Sequence, residues 1–163
     1  MAKAGNKLSG SGGNGTAFVD RALHQSGALC WRFGLGDQLE VLLITSRETR
    51  RWVVPKGWPM KGLTSRHCAA REAFEEAGVE GDLRRRKVGN YGYEKRLKSG
   101  QIQPVEVALY ALEIDREYDY WPERGQRERL WTSQADAASR VDEPELKVLI
   151  AGFVPRPRVR TAV

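Results

Sequence analysis

Cysteine and histidine are scarce: two of each in 163 residues. Cys30 and Cys68 cannot build a disulfide framework or a four-thiolate zinc site, so a protein of a reducing compartment is the default. His24 and His67 stand alone, without a partner at metal or catalytic-triad spacing, and read as surface or core residues. No stretch approaches the ~18 uninterrupted apolar residues of a membrane-spanning helix, so no membrane partner is expected. The first residues lack the apolar core of a secretory signal, and a cytoplasmic location is expected. There is no internal repeat.

What is present suits one globular domain: 40% hydrophobic residues and 17 glycines in a chain of ordinary domain length. Residues 1–24 are rich in Gly, Ser, Asn and Lys and read as a flexible extension. Residues 25–155 read as the domain, and 156–163 as a basic tail with Arg156, Arg158 and Arg160. The net charge of +6 is unevenly spread: seven Lys or Arg against one Glu between Arg84 and Lys98, and five against one between Arg47 and Lys61. Clustered positive charge suits a polyanion, whether nucleic acid, an anionic surface or a small polyphosphate. It equally suits a solvated basic surface.

Two β-prone runs predict strands over Ala28–Phe33 and Leu39–Thr45, joined as a hairpin through Gly34-Leu35-Gly36-Asp37. Trp52-Val53-Val54 predicts a third strand, stopped by Pro55 and Gly57. Val105–Ile114 is apolar on both faces and predicts a central strand. Leu130-Trp131-Thr132 leads into a helix from Ser133, and a last helix starts at Glu143-Pro144 and runs to Phe153. Strands, an intervening helix, then more strands and helices give an α/β or α+β class.

That intervening helix carries the chemistry. Thr64 or Ser65 can cap it, Gly78 can stop it, and Ala70, Ala73, Phe74 and Ala77 fall on one face as its buried stripe. Glu72, Glu75 and Glu76 project from the opposite face. Three close carboxylates repel one another, and Arg71, four residues before Glu75, neutralises only part of that charge. Alone, the triplet is also readable as a solvated acidic face. The strand and glycine loop that feed the helix, Val53-Val54-Pro55-Lys56-Gly57-Trp58, place a cation and a permissive backbone beside it. That combination points to a hard divalent cation such as Mg²⁺ or Mn²⁺ and to phosphoryl chemistry.

The stretch Gly57–Val79, GWPMKGLTSRHCAAREAFEEAGV, resembles the Nudix box, G-x5-E-x7-R-E-U-x-E-E-x-G-U with U apolar. Gly57, Arg71, Glu72, Ala73, Glu75, Glu76, Gly78 and Val79 match at the right spacing. One position departs: Leu63 stands where the box has its first Glu. Arg51–Gly57 and Trp121…Arg127-Glu128-Arg129-Leu130-Trp131 resemble the diphosphoinositol polyphosphate phosphohydrolase branch, which also hydrolyses diadenosine polyphosphates.

The resemblance implies an α/β/α sandwich around a mixed β-sheet and hydrolysis of a pyrophosphate bond by Mg²⁺-assisted attack of water, with Mn²⁺ as a substitute. It implies metal ligation by Glu72, Glu75, Glu76 and the Gly57 carbonyl, a general base at Glu72 or Glu76, and an orienting role for Arg71. A further acidic ligand outside the box is expected at Glu94, Glu113 or Glu123. Ser46, Arg47, Arg51, Lys56, Lys95, Arg96 and Lys98 are the candidate phosphate donors, Arg giving forked bonds and Lys a point charge. The expected partner is a small polyphosphate, with nucleic acid less favoured. Trp52 and Trp131 are expected in the core, and Trp58 stays open between core and ligand. Leu63 keeps a second class in view, a catalytically weak domain that binds polyphosphate or RNA as a sensor. Leu63 itself is expected to pack against the helix start.

Overall fold

The computed structural model describes residues 22–156. Most of the expected extension (1–21) and of the basic tail (157–163) falls outside the described residues. The first strand, β1 (Leu23–Phe33), begins at Leu23, five residues before the strand expected over Ala28–Phe33. A short turn at Leu35–Asp37 returns the chain as β2 (Leu39–Thr45), antiparallel to β1, as the hairpin reading anticipated. Then follow β3 (Trp52–Val53), β4 (Lys56–Gly57), α1 (Ser65–Ala77), β5 (Val79–Arg96), β6 (Ile102–Glu117), β7 (Arg129–Ser133), α2 (Gln134–Arg140) and α3 (Pro144–Gly152).

The sheet is mixed, in the order β3-β2-β1-β6-β5, with β1 parallel to β6 and the other pairs antiparallel. β7 adds to β2, and β4 adds to the N-terminal half of β1. Side chains alternate across a strand, and the two faces bury separate cores. Leu29, Val41, Leu43, Val107 and Leu109 pack with Leu146 and Ile150 of α3. Ala28, Cys30, Leu42, Ile44 and Leu112 pack with Ala69, Ala73 and Ala77 of α1. With helices on both faces, the middle of β1 and β6 is covered on each side, which is why Val107–Leu112 of β6 reads as apolar on both faces. The architecture is an α/β/α sandwich.

Two sequence expectations change. The 18-residue β5 is half charged, carries three glycines and gave no strand signal; it is an edge strand, so one flank needs no partner and its side chains can stay polar. The buried arc of α1 is Cys68, Ala69, Ala73, Glu76 and Ala77, whereas Ala70 and Phe74 are only half-buried. The arc is displaced because the chain between β6 and β7 packs across the end of the helix: the Tyr118 amide donates to the Gly78 carbonyl (2.8 Å) and the Glu123 amide to the Glu75 carbonyl (3.0 Å).

Candidate active site

β1 changes partner along its length, pairing with β2 at Trp31–Phe33 and with β4 at Ser26–Gly27. The chain therefore parts between Thr45 and Lys56, and the opening becomes a cleft of about 860 Å³. On one side stands α1, whose start is tied to β1 by a 2.7 Å hydrogen bond between the hydroxyls of Ser65 and Ser26. Thr64 occupies the N-cap position, but its hydroxyl bonds the His67 ring (2.7 Å) and not the helix backbone. Gly78 ends the helix in the left-handed conformation (φ +66°), which also lets the Trp121 ring lie against it.

Glu72, Glu75 and Glu76 of α1 all line the cleft. The Glu72 carboxylate lies so close to Gly57 that a Cβ there would sit 2.1 Å from its Oε1, so only glycine permits the approach. Glu76 is buried, against the expectation of an exposed acidic face. Its Oε1 accepts from Arg127 Nη2 (3.3 Å) and its Oε2 from the Lys56 amide (3.3 Å). Arg127 is nearly buried and also reaches Glu123 Oε1 (3.4 Å) and the Thr45 carbonyl (3.2 Å). Arg71 lies outside the cleft lining and pairs with Glu75 at 3.1 Å.

Of the three candidates for a further acidic ligand, Glu94 and Glu123 line the cleft, whereas Glu113 is held by Arg84 at 3.0 Å on β6. Ser46, Arg47, Arg51, Lys56, Lys95 and Arg96 also line it, and Lys98 sits outside, in the exposed turn between β5 and β6. Several of these cations already have partners: Arg47 pairs with Glu123 (3.2 Å) and Arg51 with the buried Glu143. The Ser46 hydroxyl bonds Thr49. Lys56 lies 4.9 Å from the centre of the Tyr93 ring, and Tyr93 donates to Gln25 (2.7 Å). Arg85, Arg86 and Lys87 are solvent-exposed on β5 and do not line the cleft. Arg127 and Glu143 were not selected from sequence as site residues, because their partners are tens of residues away.

The donor set fits a hard divalent cation. Four carboxylates and a loop carbonyl offer oxygen only, the preference of Mg²⁺ and Mn²⁺. Burial and the neighbouring carboxylates Glu76 and Glu75 raise the Glu72 pKa to about 7. Burial raises Glu76 to about 7 as well, against the opposing pull of Arg127 and Lys56. Burial lowers Lys56 to about 8. Among the described residues no three acidic, imidazole or thiol side chains yet enclose a single point.

These shifts give a pH-dependent stability. From 4.5 up to about 7 an unfolded chain releases protons that folded Glu72 and Glu76 keep. The two residues' contribution is thus fully present in acid and is lost as pH rises through about 7. A divalent cation held by these carboxylates would offset the loss by binding the charged form. Thermal melts with and without Mg²⁺ should show a larger Mg²⁺-induced rise in Tm at pH 8 than at pH 6; equal rises would contradict this.

Leu63 is 43% exposed and does not join the interior, contrary to expectation. The chain there turns back on itself, with the Leu63 amide donating to the Met60 carbonyl (3.1 Å), before α1 begins. Because Arg71 already has Glu75, a Glu at this position gains no vacant partner. Leu63→Glu should change turnover by less than about tenfold and stability by less than about 0.5 kcal/mol, measured by steady-state kinetics and thermal denaturation.

The NUDIX domain family matches residues 23–153. The chain belongs to the Nudix family. It is 35% identical over 122 residues to Nudix hydrolase 16, mitochondrial, of Arabidopsis thaliana, covering 72% of this chain and 67% of that one. It is 33% identical over 116 residues to diphosphoinositol polyphosphate phosphohydrolase 3-beta of Bos taurus, covering 69% and 65%. Its fold matches the crystal structure of a C. elegans Ap4A hydrolase with TM-score 0.55 at 21% identity, over 80% of this chain and 94% of that one. The chain spans about two thirds of the first plant relative and about half the length of two others, at 51% and 52%.

The Nudix assignment and the sandwich expected from the box therefore stand. The cytoplasmic expectation does not: three plant relatives carry a mitochondrial designation. Mitochondrial targeting segments are amphipathic and Arg-rich and have no apolar core, so lacking a secretory-type signal never discriminated between these compartments. Among the described residues no helix is long and apolar enough to cross a membrane.

Proposed function

We propose that this Nudix domain hydrolyses a pyrophosphate bond in a highly phosphorylated small molecule, a diadenosine polyphosphate or a diphosphoinositol polyphosphate, with Mg²⁺ as the cofactor. One observation carries the reading: the Glu72 carboxylate stands against Gly57 in a cleft shared with Glu75, Glu76, Glu123 and the cation Lys56. The names of the relatives support the same reaction class.

Glu75, Glu76 and the Gly57 carbonyl would hold the ion, with Glu72 and Glu123 beside them. When bound, the ion neutralises phosphate charge and acidifies a water. Glu72 is the better placed general base. Both oxygens of Glu76 already accept hydrogen bonds, from Arg127 and the Lys56 amide, whereas among the described residues no donor engages Glu72. Its raised pKa, about 7, suits proton transfer near neutrality. Glu72 takes the proton of the attacking water as the water oxygen bonds to phosphorus and the bridging P–O bond breaks. Lys56 supplies a fixed positive charge beside the phosphates, and Lys95 and Arg96, on the rim, reach the outer ones. Arg71 acts through Glu75 and is a positioning residue.

Release of phosphate or nucleotide from a panel of diadenosine polyphosphates, diphosphoinositol polyphosphates and nucleoside triphosphates, in Mg²⁺ and in excess chelator, tests the proposal. Turnover confined to Mg²⁺ supports it; equal turnover in chelator contradicts it. Because the rim cations supply charge, Lys95→Ala with Arg96→Ala should raise KM for diadenosine hexaphosphate more than for adenosine triphosphate. Added salt should shrink the wild-type advantage of the longer substrate as the charges are screened. An equal rise in both KM values would remove these residues from phosphate binding.

A further inference from the structure

We infer that Trp58 is a specificity-determining residue that stacks on the base of a purine-containing polyphosphate; this rests on the reading of the cleft as a pyrophosphohydrolase site. The other four tryptophans have partners. Trp31 is buried against Phe33 and Phe153. Trp52 packs on the core and lies beneath Arg140 (5.8 Å). Trp121 lies beneath Arg129 (4.1 Å) and donates to the Glu76 carbonyl (3.3 Å). Trp131 lies beneath Arg32 (4.0 Å) and donates to Glu117 (2.6 Å). Trp58 is 38% exposed and lines the cleft. Among the described residues it has no ring partner, no cation over its face and no hydrogen bond.

Its position gives that open face a use. Trp58 follows directly on Gly57, the residue against which the Glu72 carboxylate rests, so its Cα is ~3.8 Å from that of Gly57. Pro59 and Met60 continue the lining and make the box loop the apolar wall of an otherwise charged cleft. The exposed part of the indole, in the cleft beside Gly57, offers a flat apolar surface on which a nucleobase can stack.

The charge of the cleft favours the same ligand. Its six Lys and Arg are matched by six Glu, and Arg47, Arg51 and Arg127 are held in ion pairs. An inositol ring phosphorylated around its rim offers no bare face to an indole and asks for a large cationic surplus. A nucleoside polyphosphate carries fewer phosphates and brings a base.

The test compares KM and kcat for diadenosine tetraphosphate and for diphosphoinositol pentakisphosphate in the wild type, Trp58→Ala and Trp58→Phe. The indole is exposed, so both variants should fold, and thermal melts check this. Trp58→Ala should raise KM for diadenosine tetraphosphate about tenfold, equivalent to ~1.4 kcal/mol and within the usual strength of base stacking. kcat should change less than about twofold, the diphosphoinositol KM should hold, and Trp58→Phe should recover most of the loss. The α,β-methylene analogue of ADP should quench tryptophan fluorescence in the wild type and far less in Trp58→Phe. Equal KM changes for both substrates, no change for either, or quenching that survives Trp58→Phe would overturn the assignment. A wild type that hydrolyses neither substrate would overturn the proposed function, and the quenching experiment would still decide the role of Trp58.

Discussion

Glu72→Gln is expected to lower kcat by at least about 100-fold, the lower end of what a positioned general base contributes. The substitution keeps size and shape and removes the carboxylate of α1 that, among the described residues, has neither a hydrogen-bond donor nor an ion-pair partner. It should not unfold the domain. The sign of the stability change is itself informative: burial and Glu76 disfavour the charged form of Glu72, so a neutral amide should make the metal-free protein more stable than the wild type, by more at pH 8 than at pH 6. Removing a merely structural carboxylate would instead lower the Tm. Full turnover in Glu72→Gln would remove this residue from the chemistry.

Arg127→Ala should have the largest effect on stability. The guanidinium is the nearest positive charge to Glu76, reaches Glu123 and donates to the Thr45 carbonyl. At pH 8, where Glu76 is charged, deleting it leaves the buried carboxylate with Lys56 as its remaining positive neighbour, and breaking a buried pair from one side costs up to about 3–5 kcal/mol. For a chain of this size that lowers the Tm by roughly 6–20 °C in the metal-free protein. Mg²⁺ should recover part of the loss, since a bound cation replaces the missing charge, and Arg127→Lys should be milder than the alanine. A shift of a degree or two, or one indifferent to Mg²⁺, would show that Arg127 does not hold the site together.

Much of this site was legible before any coordinates, and the reason is local. Gly57, Arg71, Glu72, Glu75, Glu76 and Gly78 lie within one loop and helix, where the spacing of residues fixes their relative placement. The segments outside the box that hold the glutamates in place were not legible. Arg127 meets Glu76 only because the chain from Tyr118 onward hydrogen-bonds across the end of α1, and no spacing rule relates residues 51 positions apart. The same contact explains why Glu76 is buried, when helical periodicity alone put it on the open face.

Charge was misleading for a related reason. The run from Arg47 to Lys61 is strongly basic along the chain, yet Arg47 and Arg51 meet Glu123 and Glu143 in space. The run from Arg84 to Lys87 lies along an edge strand, with Arg84 pairing to Asp82 and Glu113 and the other three in solvent. Local sums of charge cannot register a partner supplied by a distant segment. β5 escaped notice for its own reason: an edge strand with one open flank has no need of the apolar alternation by which strands are recognised.

The central claim is that the carboxylates of α1 bind a divalent cation used in hydrolysis. Its most direct test is Mn²⁺ binding followed by electron paramagnetic resonance, in the wild type and in Glu75→Gln with Glu76→Gln, alongside turnover of diadenosine tetraphosphate in the same samples. Saturable binding in the wild type, lost together with turnover in the double variant, is the predicted result. Equal Mn²⁺ binding in both proteins, or undiminished turnover in the double variant, would contradict it.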